Sequence, residues 1–377
     1  MHAQGAPEGA GGVTGTLATH PPGRAGAGAP GGMSNDAASV ARRPRTGWID
    51  GARGIGIILV VFAHALRALH PQVATAPAWV QASDRAIYSF HMPLFFLLSG
   101  LFAWRSLAAG RGRFAADKLV TIAYPYFLWS LVEGGIELLF ARDANTPLDP
   151  TDMLLIPVAP IEQFWFLYAL FLCQLMLLAC YPSRAVLVAV ACVGVIAATM
   201  LGTGPMPLRA LAFLPYVALG VVCAPALLRL GSSRAAGAAL LGASAVAWAG
   251  LLHVTSRSIP LPVSLVIGTA GSFMTIGTAT LVVESAVGPL LELLGRTSMA
   301  IYVMHTIFSA GMRIVPTLVG LSFDFGAMLA MTTLAGIAGP LAVWWIAERF
   351  GVAALLGIGP RRRLRPAVAD GASGRLP

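Results

Sequence analysis

From Trp48 onward the chain alternates apolar runs with short polar joints. The runs are roughly 17–25 residues long, the length a helix needs to cross about 30 Å of hydrocarbon. They fall at 48–69, 87–107, 119–140, 163–181, 185–201, 210–228, 235–252, 261–283, 298–318 and 326–347. Each is continuous rather than alternating, and continuity over that length predicts helices and not barrel strands. The pattern therefore predicts an all-α polytopic membrane protein, a bundle of about ten transmembrane helices. Residues 1–47 carry no apolar run and are rich in Gly, Ala and Pro, the composition of a disordered tail. The reading divides the chain into that tail, a membrane domain over 48–350 and a basic tail over 351–377.

Composition narrows this further. Of 377 residues, 57% are hydrophobic and only 11% charged, and the mean hydropathy is +0.76. Soluble domains carry about 25% charged residues, so a water-facing exterior is not available. Net charge is +9, from 25 Lys and Arg against 16 Asp and Glu. The cations are scattered through the joints rather than gathered on one module, which argues against a nucleic-acid partner. As topology signals they are asymmetric. One side collects Arg42, Arg43, Arg45, Arg105, Arg111, Arg113, Lys118, Arg184, Arg229, Arg234, Arg296, Arg349 and the arginines at 361–363 and 365; the other has mainly Arg67, Arg85, Arg142, Arg209, Arg257 and Arg313. The positive-inside rule then places both termini in the cytoplasm. Cys173, Cys180, Cys192 and Cys223 sit inside apolar runs with no CxxC pair and no neighbouring His. That spacing predicts small buried hydrophobes and no metal site.

Candidate chemistry begins on the first span, WIDGARGIGIILVVFAHALRAL. Asp50, Arg53, His64 and Arg67 interrupt it. Eleven residues at 100° each return to within about 20° of the start, so Arg53 and His64 share a face, about 16 Å apart along the axis. Ionisable groups cost several kcal/mol in lipid, so the stripe is expected to face the bundle interior or a wet cavity. Asp50 with Arg53 also reads as an interfacial ion pair that orients the helix.

Other polar positions join the stripe. In IYSFHMPLFFLLSGLF, His91 stands at a depth like that of His64, either in the site or as a structural hydrogen-bonder. Pro93 is expected to kink the helix there, and Ser99-Gly100 permits close helix contact. Glu133 and Glu137, at i and i+4 on the third helix, either line an acceptor pocket or mark the helix end. Glu162 opens the fourth helix beside Trp165, an expected interfacial anchor, and Tyr168. His305 stands about seven residues into the ninth, as a site residue or as helix–helix glue.

Taken together, these motifs resemble the acyltransferase family 3 membrane proteins, integral-membrane O-acyltransferases that modify sugars on polysaccharides, lipids and glycans. The resemblance rests on IDGARGIGIILVVFAHAL, with Arg53 and His64 on the paired positions, on SFHMPLFFLLSG, on RFAADKLVTIAYPYFLW, on FWFLYALFL and on LGRTSMAIYVMH, in that order. The chain looks most similar to the fucose 4-O-acetylase-like branch. Its basic joint, with only Arg111, Arg113 and Lys118, is sparser than in many members.

The resemblance implies transfer of an acyl group, acetyl above all, from acyl-CoA in the cytoplasm to a carbohydrate hydroxyl, in the bacterial inner membrane. Cations at the inner mouth suit an anionic donor head group. An imidazole titrating near neutral pH suits removal of the hydroxyl proton. The expected catalytic residues are His64 and Arg53. Asp50, Arg67, His91, Ser99, Arg111, Arg113, Lys118, Glu133, Glu162 and His305 are the expected substrate or donor contacts. His64 is expected either as a general base or as a transient acyl carrier. No permanently bound cofactor and no metal is expected; the partners are membrane lipid, acyl-CoA and a carbohydrate. The rival reading is a transporter or flippase for a sugar or lipid-linked sugar, which calls for alternating access and often for inverted repeats.

Overall fold

The computed structural model describes residues 47–359, apart from 71, 140–148, 232 and 256–258. The expected N-terminal tail up to residue 46, the arginines at 42, 43, 45, 142 and 257, and the C-terminal arginines at 361–363 and 365 lie outside the described residues. Regular structure among the described residues is helical throughout. In chain order the α-helices are α1 (Gly47–Leu69), α2 (Ala78–Tyr88), α3 (His91–Ala108), α4 (Arg111–Lys118), α5 (Tyr124–Leu139), α6 (Asp152–Leu155), α7 (Trp165–Cys180), α8 (Arg184–Leu201), α9 (Met206–Leu230), α10 (Arg234–Val254), α11 (Leu261–Val282), α12 (Gly288–Arg296), α13 (Ser298–Leu318) and α14 (Phe325–Arg349). Among the described residues, ten helical stretches are long and apolar enough to cross a membrane. The protein is an all-α, multi-pass integral membrane protein.

Helix α1 is the axis of the bundle, packing against α2, α3, α11, α12, α13 and α14. Its apolar residues are closed off accordingly: Ile57 is 1% exposed, and Val60 and Val61 are 0% exposed. At the rim, α8 and α10 turn Val193, Ile196, Met200 and Val246 outward, the surface a helix presents to lipid tails. Backbone contact without side chains between sets two interfaces. A Cβ on Gly100 of α3 would lie 2.3 Å from the Val217 carbonyl oxygen of α9, and one on Gly220 would lie 2.1 Å from that of Leu97. Small residues at such crossings are the usual device where no hydrophobic effect drives helices together.

Three boundaries differ from the sequence expectation. The second crossing begins at Ala78, nine residues before the expected start at 87, and is built from two helices with a break at Ser89-Phe90. AWVQASDRAIY is too polar to register as a membrane run, yet it buries Val80 and Ile87. The break precedes Pro93, which stands in the first turn of α3, where no intrahelical N–H is required. The third crossing starts at Arg111, because the basic joint is itself helical; a π-turn over Leu119–Ala123 carries it into α5 just ahead of Pro125. Finally, described residues of the segment expected as a tail from 351 pack against the bundle. Residues 352–358 fold back onto the bundle, with Ala353 and Ile358 only 3% and 5% exposed. Tyr124 Oη and Trp129 Nε1 donate to the carbonyls of Leu355 and Leu356 at 2.5 and 2.9 Å.

The short helix α12 had no counterpart in the expected spans. It lies along the N-terminal half of α1, where a Cβ on Gly54 would meet the Leu291 carbonyl at 2.1 Å and one on Gly295 that of Asp50 at 1.8 Å.

Candidate active site

A cavity of about 750 Å³ lies between α1, α2, α3, α7, α9 and α11. His64, Tyr88, His91, Trp165, Arg209 and Tyr216 are among its walls. It occupies the end of the bundle towards which α1 runs, beside the α1–α2 and α8–α9 connections. A smaller cavity of about 360 Å³, lined by Glu162 and Met206 among others, shares Trp165 and Arg209 with it.

The contact between α1 and α13 brings two histidines together: His64 Nδ1 lies 2.8 Å from His305 Nε2. The proton positions in this pair follow from its neighbours. His305 Nδ1 is 2.8 Å from the Tyr302 carbonyl oxygen, which only accepts, so the proton of the neutral ring sits on Nδ1. His305 Nε2 is then the acceptor, and His64 Nδ1–H donates to it. The chain leaves a lone pair on His64 Nε2, in a ring that lines the cavity. One imidazole thus fixes the tautomer and orientation of the other, the arrangement a general base needs. Tyr302 is fixed in turn, since its hydroxyl donates to the Gln163 carbonyl.

Around this pair stands a polar and aromatic frame. Arg67 grips Asp84 with two hydrogen bonds, Nε to Oδ1 at 2.6 Å and a terminal nitrogen to Oδ2 at 3.1 Å. Its guanidinium lies 3.2 Å above the centroid of the Tyr88 ring. Tyr88 stands between the two cavity histidines, 6.3 Å from the His64 ring and 4.7 Å from that of His91. His91 opens α3 and donates from Nδ1 to the Ile87 carbonyl at 2.7 Å. Its Nε2 is therefore a second acceptor, buried and without a protein partner.

Behind the histidines runs a buried polar network. The Gln163 amide nitrogen donates to both Glu133 oxygens at 2.9 and 2.7 Å, and reaches Thr306 Oγ1 at 3.1 Å. Thr306 adjoins His305 in sequence, so this network braces the same turn of α13. Glu133 is 4% exposed, a position tolerable only with hydrogen bonds of this kind. Glu137, one turn further along α5, is half-buried. Glu162 begins the 3₁₀ turn ahead of α7 at φ +38° and lines the smaller cavity.

The remaining expected residues lie elsewhere. Arg53 pairs with Asp50 at 3.3 Å, their side chains 35% and 29% exposed. Neither lines the cavity. The Arg53–His64 stripe does exist along an unbroken helix, but Ile57 and Val60 on that face are buried and separate its two ends with apolar packing. Ser99 donates to the Phe96 carbonyl at 2.7 Å and accepts from Gln174 at 3.3 Å, so it serves helix contact. Arg111 reaches the Leu178 carbonyl at 3.4 Å, Arg113 is exposed, and Lys118 pairs with Asp117 at 2.9 Å. These three are on α4 and are not among the residues that line either cavity.

Several residues of the cavity wall and its frame are not among the site candidates read from sequence: Gln163, Thr306, Tyr302, Tyr88, Asp84 and Arg209. Gln163 directly after Glu162 in an otherwise apolar run was the available signal. Asp84 is hidden because the part of its helix before residue 87 does not look like a membrane span, whereas Tyr88 stands at the start of the expected second span. Trp165, expected as an interfacial anchor, lines both cavities.

Comparison with known proteins agrees in kind. Residues 46–349 match the acyltransferase 3 family, described as an acyltransferase domain. Nodulation protein NolL of Sinorhizobium fredii (strain NBRC 101917 / NGR234) is 37% identical over 86 residues, 22% of this chain and 23% of that protein. The chain thus aligns with less than a quarter of that relative's length. No solved structure matches.

Proposed function

The chain belongs to the acyltransferase 3 family, and on that premise we propose that it transfers an acyl group, in the first place acetyl, from acyl-CoA to a hydroxyl of a cell-surface or lipid-linked carbohydrate. The observation that carries the reading is the chain Tyr302 carbonyl–His305–His64, which ends in a basic nitrogen on a cavity of about 750 Å³. In the proposed reaction His64 Nε2 takes the proton of the acceptor hydroxyl. The oxygen attacks the thioester carbonyl, the C–O bond forms, the C–S bond breaks, and the CoA thiolate recovers the proton from the imidazolium. His305 accepts from His64 Nδ1–H throughout, and that bond strengthens as His64 becomes cationic. The resemblance to fucose 4-O-acetylases supplies the acceptor class within this proposal.

The distribution of arginines supports an inner-membrane orientation with both ends cytoplasmic, the Arg53 end facing the donor and the cavity facing the acceptor. A donor whose anionic head rests near Arg53 spans about 16 Å to place its thioester at His64, and Ile57 and Val60 must yield for it to pass. The test is purified protein in proteoliposomes given labelled acetyl-CoA and glycan extracts. Labelled ester on glycan supports the enzyme. Accumulation of unmodified glycan inside the vesicles supports a transporter and overturns the proposal.

A further inference from the structure

The cavity also carries charged side chains. Three charged side chains line the larger cavity: Asp84, Arg85 and Arg209. Asp84 is neutralised by the two-pronged contact from Arg67. One terminal nitrogen of Arg85 is held by the carbonyls of Leu252 and Thr255 at 2.8 and 2.5 Å and by the Thr255 hydroxyl at 2.9 Å. Arg209 differs from both. Its Nε donates to the Thr203 carbonyl at 3.2 Å, and its guanidinium carbon lies 5.4 Å from the Trp165 ring centroid. Those contacts use one nitrogen and one face. Among the described residues neither terminal nitrogen has a hydrogen-bond partner, and both stand where the two cavities share Arg209 and Trp165. Stacking on an aromatic face leaves the in-plane N–H fork open, and that fork matches the oxygens of phosphate or carboxylate in pairs.

We infer that Arg209, steadied over Trp165, forms an acceptor subsite that selects anionic saccharides, with a phosphate or carboxylate of the saccharide held by the free fork of Arg209. This rests on the acyl-transfer reading and goes beyond it by naming the charge of the acceptor. The subsite holds the charged group while the hydroxyl to be acylated meets His64. The anion is either the phosphate of a lipid-linked saccharide or the carboxylate of an acidic polysaccharide.

The acceptor need not be identified for the test. Cells with the gene disrupted are complemented with wild type, Arg209→Gln, Arg209→Lys or His64→Ala, each shown by immunoblot and thermal unfolding to be folded and present at equal level. Saccharides are separated by solvent extraction into lipid-linked and polymeric pools, each pool by anion exchange into retained and unretained fractions, and ester-bound acetate is measured in each. Expected is ester lost on disruption from an anion-retained fraction. The pool in which it is lost distinguishes phosphate from carboxylate. Arg209→Gln lowers the rate of its return by about ten- to a hundredfold, the size of a lost hydrogen bond to a charged group. Arg209→Lys falls between, and His64→Ala restores nothing. Ester lost only from unretained fractions, or full restoration by Arg209→Gln, overturns the inference and leaves acyl transfer standing. Ester lost from no fraction overturns the acyl-transfer reading itself.

Discussion

Replacing His305 separates a positioning role from mere packing, because its ring touches the proposed base and not the cavity. In His305→Leu the neighbouring Nδ1–H of His64 loses its acceptor at a site closed to water, His305 being 0% exposed. Leaving one buried donor unpaired costs about 1–3 kcal/mol, which converts to roughly a 5- to 150-fold loss in kcat/KM if it falls on the transition state. His64→Ala removes the base altogether and is expected to cost about 10²–10⁴-fold. The two losses therefore differ, with His305→Leu the milder. His305→Gln is the informative third variant, because its amide oxygen reaches much the same point as the imidazole Nε2 and restores an acceptor. The assay is initial rate of labelled acetyl transfer in proteoliposomes at equal folded protein, with thermal unfolding as control. The expected order is wild type, Gln, Leu, then His64→Ala. A Leu variant at full rate, or a Gln variant no better than Leu, refutes the tautomer argument.

Other outcomes follow from the packing. Gln163→Leu strands the buried Glu133 carboxylate and is expected to lower stability by about 1–3 kcal/mol, while Glu133→Leu/Gln163→Leu together recover much of it; unfolding midpoints of the three proteins check this. Gly220→Val places a side chain where the Leu97 carbonyl of α3 already lies, so folded yield by fluorescence-detected gel filtration is expected to collapse, while Gly242→Ala on the open face of α10, with nothing within 4 Å, leaves it unchanged. Trp129→Phe removes the donor to Leu356 and is expected to cost about 0.5–1.5 kcal/mol, read as earlier proteolysis of the C-terminal segment.

Much of this architecture was legible in the residues themselves. Runs long enough to cross hydrocarbon marked out the ten spans, and the eleven-residue interval correctly placed Arg53 and His64 on one face of an unbroken helix. What hydropathy could not reveal was structure that is helical without being greasy. α2 carries Gln81, Asp84 and Arg85, so its membership in the second crossing was invisible although it supplies Tyr88 and Asp84 to the cavity. α12 is too short to register as a span, yet Gly54 and Gly295 exist to admit it. The pairing of His64 with His305 joins residues 241 positions apart, and no local periodicity encodes such a contact. The packed interval at Ile57 and Val60 was unreadable for a related reason. Periodicity identifies which residues share a face, but only the neighbouring helices decide whether that face is wet.

Removal of the acceptor proton by His64 Nε2 is the step on which the proposed acyl transfer depends. The most direct measurement is single-turnover transfer of labelled acetyl from acetyl-CoA to glycan by purified wild type and His64→Gln, both verified as folded. The expected result is a labelled ester with wild type and, with the Gln variant, a rate lower by about 10²-fold or more. Equal rates in the two proteins would contradict it.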